Sequence, residues 1–289
     1  MAQIVTIINF KGGVGKTTLS VEVAAALAKH YGRRTLLVDL DPQASATFYV
    51  MDQEYWMTWK NVRGSTYDIF EQRDSHFPIR NAIVPSIIPG VDGFDLLPSN
   101  PDLVDVDLRL SDFMGHNILQ RCLEEVRNEY DYIICDCPPN FNPVTKNSLW
   151  ASDAYVVPTV PDFLSTYGIA LLRRSVNKLF PQTSPDSPVL GPVLGGIVLT
   201  RIKAGVKHHE MYCERVREDY PGNVFKHTIS DSVQVARAPD DHMPISVVTP
   251  AIGHTLALQQ QFRDIAGEFI SRIHHVRSQK KHVARQNTY

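Results

Sequence analysis

The chain has 289 residues, 43% of them hydrophobic and 21% charged, with a formal net charge of −2 at pH 7. These proportions are those of a soluble globular protein, either one large α/β domain or two small ones. The near-neutral balance excludes a globally basic nucleic-acid binder, and no apolar run approaches the ~20 residues that span a bilayer.

The N-terminus runs directly into Ile4-Val5-Thr6-Ile7-Ile8, which reads as a buried strand and not as the leader of a signal peptide. Lys11-Gly12-Gly13-Val14-Gly15-Lys16-Thr17-Thr18 follows, and Leu19 to Ala28 reads as a helix. Strand, glycine-rich turn and helix is the setting a phosphate-binding loop requires. The glycines let backbone N–H groups turn inward around an anion, and the helix N-terminus adds its unpaired N–H groups and positive dipole end. Lys16 supplies a point charge for the β- and γ-phosphates, and the Thr17 hydroxyl is placed for Mg²⁺. ATP and Mg²⁺ are therefore the expected cofactors. The loop carries a second lysine, Lys11. Either Lys11 is solvated, or it reaches across a dimer interface to the phosphates of a partner subunit, as an arginine finger does in trans.

Arg33 to Asp39 reads as the second strand, after a Tyr31-Gly32 break that suits a helix C-cap. Asp39 and Asp41 leave its C-terminal end, where ligands sit in doubly wound sheets. Asp39 is expected near the magnesium, and Asp41 is placed to orient the attacking water; both acids could instead cap the next helix. Residues 50–80 are poorly patterned, and Trp56 and Trp59 are expected to pack against the domain or a partner subunit. Ile79 to Val84 reads as a short strand or hairpin arm, Gly93 to Asn100 as a strand with its exit, and Pro101 to Leu110 as a helix with a solvated acidic face. Gly115 to Tyr130 carries Ile118, Leu119, Cys122, Leu123 and Val126 at helical spacing. Tyr132 to Cys135 is then a buried strand ending in Asp136, an acid expected to face the loop and bind Mg²⁺. Helices are expected over Asn142 to Ala151 and Asp162 to Phe180, and strands over Ala154 to Pro158 and Gly196 to Thr200, with a Pro/Ser-rich loop from Pro181 to Pro188. The alternation implies parallel pairing. Cys122, Cys135, Cys137 and Cys213 show no metal-ligand spacing and read as reduced packing residues of a cytoplasmic protein.

Basic residues concentrate in two places. Arg201, Lys203 and Lys207 share one loop and helix start, and Arg272, Arg277, Lys280, Lys281 and Arg285 lie in an end segment with no acid after Glu268. Such clusters give sequence-independent, salt-sensitive contact with nucleic-acid phosphates; the alternative is a basic tail with no ligand. The tail has few apolar residues, which disfavours a membrane-lying helix.

Three segments in this order carry a family resemblance. Lys11–Thr18 resembles the deviant Walker A loop of the ParA/MinD ATPases. Val38-Asp39-Leu40-Asp41-Pro42-Gln43 resembles that family's switch I, on the ParA side, and Ile133 to Pro139 resembles its Walker B strand and switch II. The resemblance covers roughly residues 1–270. It implies a single-domain P-loop NTPase with a mainly parallel, doubly wound sheet flanked by helices over residues 1–276, followed by a basic tail over 277–289. It further implies ATP-driven homodimerisation with Lys11 touching the partner's nucleotide, a hydrolytic role for Asp41, and non-specific DNA binding. A ParB-like or adaptor protein would stimulate hydrolysis to position a plasmid, chromosome or protein cargo, with the protein on the nucleoid. The family's adenine-reading residue, often Asn, stands where this chain has Thr200, followed by Arg201. The competing readings are a membrane-recruited, MinD-like positioning ATPase and a metabolic relative using the same loop.

Overall fold

The computed structural model describes residues 1–72, 77–109, 117–181, 191–249 and 253–286. In chain order they form β1 (Gln3–Ile7), α1 (Lys16–Tyr31), β2 (Thr35–Asp39), α2 (Ser45–Val50), α3 (Gln53–Arg63), α4 (Thr66–Glu71), α5 (Ile79–Ala82) and β3 (Phe94–Leu97). There follow α6 (Leu103–Arg109), α7 (Ile118–Glu124), β4 (Tyr132–Asp136), α8 (Pro143–Ala151), β5 (Ala154–Thr159), α9 (Phe163–Leu179), β6 (Val193–Leu199), α10 (Lys207–Asp219), α11 (Val233–Arg237) and α12 (Gly253–Gln286). The strands make one sheet in the order β3-β2-β4-β1-β5-β6, and each pairing between them is parallel.

The strands read as near-continuous apolar runs because both faces are covered. Alternate residues go to opposite sides. Val5, Ile7, Leu37, Ile134 and Val156 join one core with α1 and α12. Ile4, Ile8, Leu36, Val38, Ile133 and Cys135 join the other, with residues of α4, α7, α8 and α9. The fold is thus the expected doubly wound α/β sheet. From Leu19 to Ala28 every residue of α1 is buried, which explains why that helix is apolar all round. It runs between the sheet and α12 and ends at Gly32, whose N–H bonds the Ala28 carbonyl.

One acid in α1 interrupts this apolar run. Glu22 is fully buried, and its carboxylate accepts from the Tyr49 hydroxyl at 3.0 Å, the Ile245 N–H at 2.8 Å and the Ser246 N–H at 2.8 Å. Burial pushes its pKa up, against those donors. All three partners donate, so an amide would set an NH₂ group against a backbone N–H. Glu22→Gln is therefore expected to cost about 2–4 kcal/mol of stability, read as a lowered urea midpoint with an unchanged slope.

Local patterning erred where packing overrode it. Ile79–Ala82 is a helical turn, not a strand, with Ile79 and Ala82 buried and the Trp59 indole donating to the Ala82 carbonyl at 2.9 Å. Only Val84 makes a strand-like contact there, an antiparallel bridge to Leu96. The helix expected over Gly115 to Tyr130 shrinks to α7, after which i→i+3 turns carry the chain into β4; the Val126 N–H bonds the Leu123 carbonyl at 3.2 Å. Arg127 ties that corner to the Ala2 carbonyl and Asp153. Leu110 and Gly115, at the ends of two expected helices, lie outside the described residues, as do residues 182–188 of the Pro/Ser-rich loop. Trp56 packs within the chain, its indole donating to the Ser99 carbonyl. The backbone of α12 continues as one helix through residue 276 to Gln286, so no break in secondary structure separates the body from the basic end. Cys135 and Cys137 are buried, and burial pushes the Cys135 thiol up to about 12. Among the described residues no cluster of three or more His, Cys, Asp or Glu is placed to hold a metal.

Candidate nucleotide site

Strand register assembles the site. The β1–β4 pairing sets Ile7 opposite Asp136, and the β2–β4 pairing sets Asp39 opposite the same residue. The loop after β1 therefore leaves the sheet beside two carboxylates. Gly13 and Gly15 have φ of 72° and 79°, the left-handed region that a Cβ disfavours, and Gly15 is the N-cap of α1. The first turn of α1 contains no acid, which leaves its positive end open to an anion. Gly12, Gly13, Gly15, Lys16, Thr17 and Thr18 line a cavity of about 700 Å³. A Cβ on Gly12 would meet nothing within 4 Å, so it is Gly13 and Gly15, at positive φ, whose lack of a side chain the loop conformation requires. Val14 points into the protein, and its carbonyl accepts the Thr200 hydroxyl at 2.8 Å.

The two lysines of the loop part company. Lys16 is buried and folds back to its own loop, Nζ donating to the Lys11 carbonyl at 3.1 Å. Burial holds its pKa below the ordinary value, against the pull of Asp136 and Asp41. Lys11 turns out of the cavity: its Nζ lies 2.7 Å from Asp162 Oδ2 and 3.0 Å from Ser165 Oγ, at the start of α9. Asp162 also caps α9, accepting from the Ser165 N–H. Partial burial would raise the Asp162 pKa, but Lys11 and Ser165 together bring it below the ordinary value.

Asp136 accepts from the Thr17 hydroxyl at 2.8 Å and lies 2.8 Å from the Ser20 hydroxyl. Ser20 escaped the sequence reading, although its position one turn after Thr17 on α1 was the available signal. Burial raises the Asp136 and Asp39 pKa values, and nearby carboxylates add to the rise. A bound cation would reverse that logic. The Thr17 hydroxyl and Asp136 carboxylate are hard oxygens, and two such protein ligands, completed by phosphate and water, suit Mg²⁺. Asp39 lies beside Asp136, opposite it across the β2–β4 pairing, and is hydrogen-bonded to its own loop. It is fully buried, and its oxygens accept the Asp41 N–H, the Thr47 N–H and the Thr47 hydroxyl. It braces the loop that carries Asp41 and does not line the cavity. Asp41 does line it, with one oxygen accepting the Gln43 N–H and its carbonyl accepting the Ser99 hydroxyl.

The cavity is also lined by segments remote in sequence: Phe48 and Tyr49 on α2, Ile229 to Ser232, and Val235, Ala236 and Pro239. Ile229 to Asp231 belong to Thr228-Ile229-Ser230-Asp231, which loosely resembles the family's second base-side loop; Phe48, Tyr49, Val235, Ala236 and Pro239 carried no sequence signal. Thr200 and Arg201 line the cavity as well.

The basic residues grouped from sequence separate in space. Arg201 donates to the Gly13 carbonyl and pairs with Asp231, and Lys203 Nζ lies 3.7 Å from the same carboxylate. Arg272 is committed inward, bonding Glu268 and the Gly222 and Val224 carbonyls and lying 4.6 Å over the Phe225 ring. Lys207 is exposed at the start of α10. The backbone at Arg277, Lys280 and Lys281 continues α12, and their side chains lie outside what the structure describes.

A parallel doubly wound sheet whose first strand delivers a left-handed glycine loop to a helix N-terminus, beside a strand-end aspartate, defines a P-loop nucleotide-binding protein. A family model described as an AAA domain matches residues 2–186. The sporulation initiation inhibitor protein Soj of Bacillus subtilis is 32% identical over 253 residues, 86% of this chain and 92% of Soj. The chromosome partitioning protein ParA of Caulobacter vibrioides is 29% identical over 273 residues, 93% of this chain and 94% of that one. Among solved structures, a cobyrinic acid a,c-diamide synthase of Mycobacterium smegmatis with bound ATP analog and magnesium superposes with a TM-score of 0.66 at 28% identity, covering 84% of this chain and 93% of the other. The chain belongs to the ParA/MinD-type P-loop ATPases, in the ParA branch.

Proposed function

We propose that this protein is a partitioning ATPase that pairs with a second copy on binding ATP, holds DNA without sequence preference as that pair, and lets go when a partner protein stimulates hydrolysis. The observation that carries the reading is the split between the two loop lysines. Lys16 stays with its own loop, and Lys11 stands outside at the rim. Beside Lys11, α9 exposes Phe163, Leu164 and Tyr167, which are 61%, 66% and 59% accessible. A cation at the mouth of a site, bordered by exposed apolar side chains, suits a surface that meets another copy.

In this reading the loop N–H groups and Lys16 orient the β- and γ-phosphates. Mg²⁺, when held by Thr17 and Asp136, supplies positive charge against the phosphate oxygens. Asp41, at the cavity edge, positions the attacking water, and Asp39 holds the Asp41 loop in place through its N–H. Lys11 of the second copy would add the missing cation. DNA contact would fall to Lys207 and the basic end of α12, whose phosphate contacts are salt-sensitive. The work site would be the nucleoid and the stimulating partner a ParB-like or adaptor protein. No helix among the described residues is long and apolar enough to cross a membrane, and Ile273 and Val276 of α12 are buried in the core, which leaves the MinD-like reading without its apolar stripe there.

Co-sedimentation of the full chain with random-sequence duplex tests this directly. Pelleting with ATP, little with ADP, and loss at raised salt are expected. Pelleting that ignores the nucleotide overturns the proposal, as does binding to anionic vesicles in place of DNA.

A further inference from the structure

Two hydroxyls of α1 divide the Asp136 carboxylate between them. The Thr17 hydroxyl takes Oδ2 at 2.8 Å, and Ser20 Oγ lies 2.8 Å from Oδ1. Thr17 and Ser20 stand three positions apart, as neighbours on one helix face. The β1–β4 register brings the end of β4 beside that face. The two residues differ in what they can reach. Thr17 lines the nucleotide cavity, where its oxygen can meet a metal ion. Ser20 is fully buried and is not among the residues lining the cavity. A buried hydroxyl has to place its one proton within the protein.

Ser20 has two acceptors in range. The Lys16 carbonyl lies 3.0 Å away, one turn back, the ordinary partner of a helical serine. That carbonyl already takes the Ser20 N–H in the helix ladder. Asp136 Oδ1 is closer and belongs to a carboxylate, and hydrogen bonds to a charged acceptor are the stronger kind. The proton therefore goes to Asp136. The need for it there is electrostatic. The β2–β4 register sets Asp39, a second fully buried carboxylate, opposite Asp136. Like charges in a dry interior repel strongly, so an Asp136 side chain free at Oδ1 would be driven to rotate. Asp39 is tied in the same manner, by Thr47 and the Asp41 N–H.

We infer that Ser20 is a positioning residue of the metal site: its hydroxyl fixes the plane of the Asp136 carboxylate, so that Asp136 and Thr17 together are preorganised for Mg²⁺. The inference rests on the ATPase reading and deepens it. Partners that orient a metal's ligands from behind typically contribute 10–100-fold to metal affinity. A residue outside the cavity wall thus carries part of the affinity for the ion.

Calorimetric titration of the full chain with a non-hydrolysed ATP analogue, once in EDTA and once in excess Mg²⁺, isolates the metal. The ratio of the two affinities is the metal's own contribution. Ser20→Ala is expected to bind the analogue in EDTA as the wild type does, which shows the loop intact, and to lose about tenfold or more of the gain from Mg²⁺. Ser20→Cys, close in size but a weaker donor, is expected to fall between the two. A merely structural serine would lower the urea midpoint and leave the ratio alone. The inference is overturned if Ser20→Ala keeps the wild-type ratio, the outcome expected of a hydroxyl given to the Lys16 carbonyl. It is overturned as well if the affinity in EDTA falls as far as the affinity in Mg²⁺. Should the alanine variant not fold, the cysteine variant decides by the same ratio. A wild-type chain that binds the analogue but gains nothing from Mg²⁺ would sink the metal assignment, and one that binds no analogue would sink the ATPase reading itself.

Discussion

Lys11→Ala is expected to keep nucleotide affinity in the single chain while hydrolysis falls by roughly a hundred- to a thousandfold and ATP-driven pairing is lost. A cation supplied in trans to a transferring phosphoryl group contributes on the order of 10³–10⁵ in rate when it is arginine; lysine, a point charge without the fork, is expected to contribute less. The structure explains why binding survives. Lys11 does not line the cavity, and its Nζ is bound to Asp162 and Ser165. Its contribution within one chain is a half-exposed ion pair, a class of contact worth little. Asp162→Asn is the informative companion, because it releases Lys11 from its resting partner and should lower the ATP concentration at which pairs form. Light scattering with a non-hydrolysed ATP analogue reads the pairing, and phosphate release reads the turnover. Wild-type dimerisation by Lys11→Ala would remove the cross-subunit role.

The second large effect is expected at Asp41. Asp41→Ala should lower turnover by about a hundredfold or more, the range typical of a lost proton acceptor or water-orienting group, while ATP stays bound and the paired state accumulates. Asp41 lines the cavity, yet its backbone is secured independently of its own side chain, by the Asp39 carboxylate below and by Ser99 at its carbonyl. The substitution thus removes a carboxylate without releasing the loop. A variant that binds ATP poorly would show that Asp41 holds nucleotide and does not act on water. Asp39 offers the contrast: with three donors on its buried carboxylate, its loss should appear first as instability of the Asp41 loop.

Legibility followed the range of the interactions. All six strands of the sheet were readable because each is a short apolar run between turn residues, as in Ile4 to Ile8 and Tyr132 to Cys135. The phosphate loop was readable because its requirements, glycines at left-handed positions and a lysine and hydroxyl at a helix start, are met by consecutive residues. Elements shaped by their neighbours were misread. Ile79 to Ala82 is a helical turn shaped by the packing of Ile79, Ala82 and Trp59, and the α7 pattern outruns its helix because the chain must turn into β4.

By itself the amino-acid order determined the class of fold, the phosphate cradle and the acid at the end of β4, since each depends on contacts within a few residues or on a strand's own burial. Only the tertiary structure decided where the Lys11 side chain rests and that the Arg201 guanidinium is seated on the Gly13 carbonyl and Asp231. Those outcomes depend on partners about 30 to 190 positions away in the chain, such as Asp162 for Lys11 and Gly13 for Arg201. Sequence spacing holds no record of such pairs; they arise when parallel strands bring the loops at their C-terminal ends to one edge of the sheet.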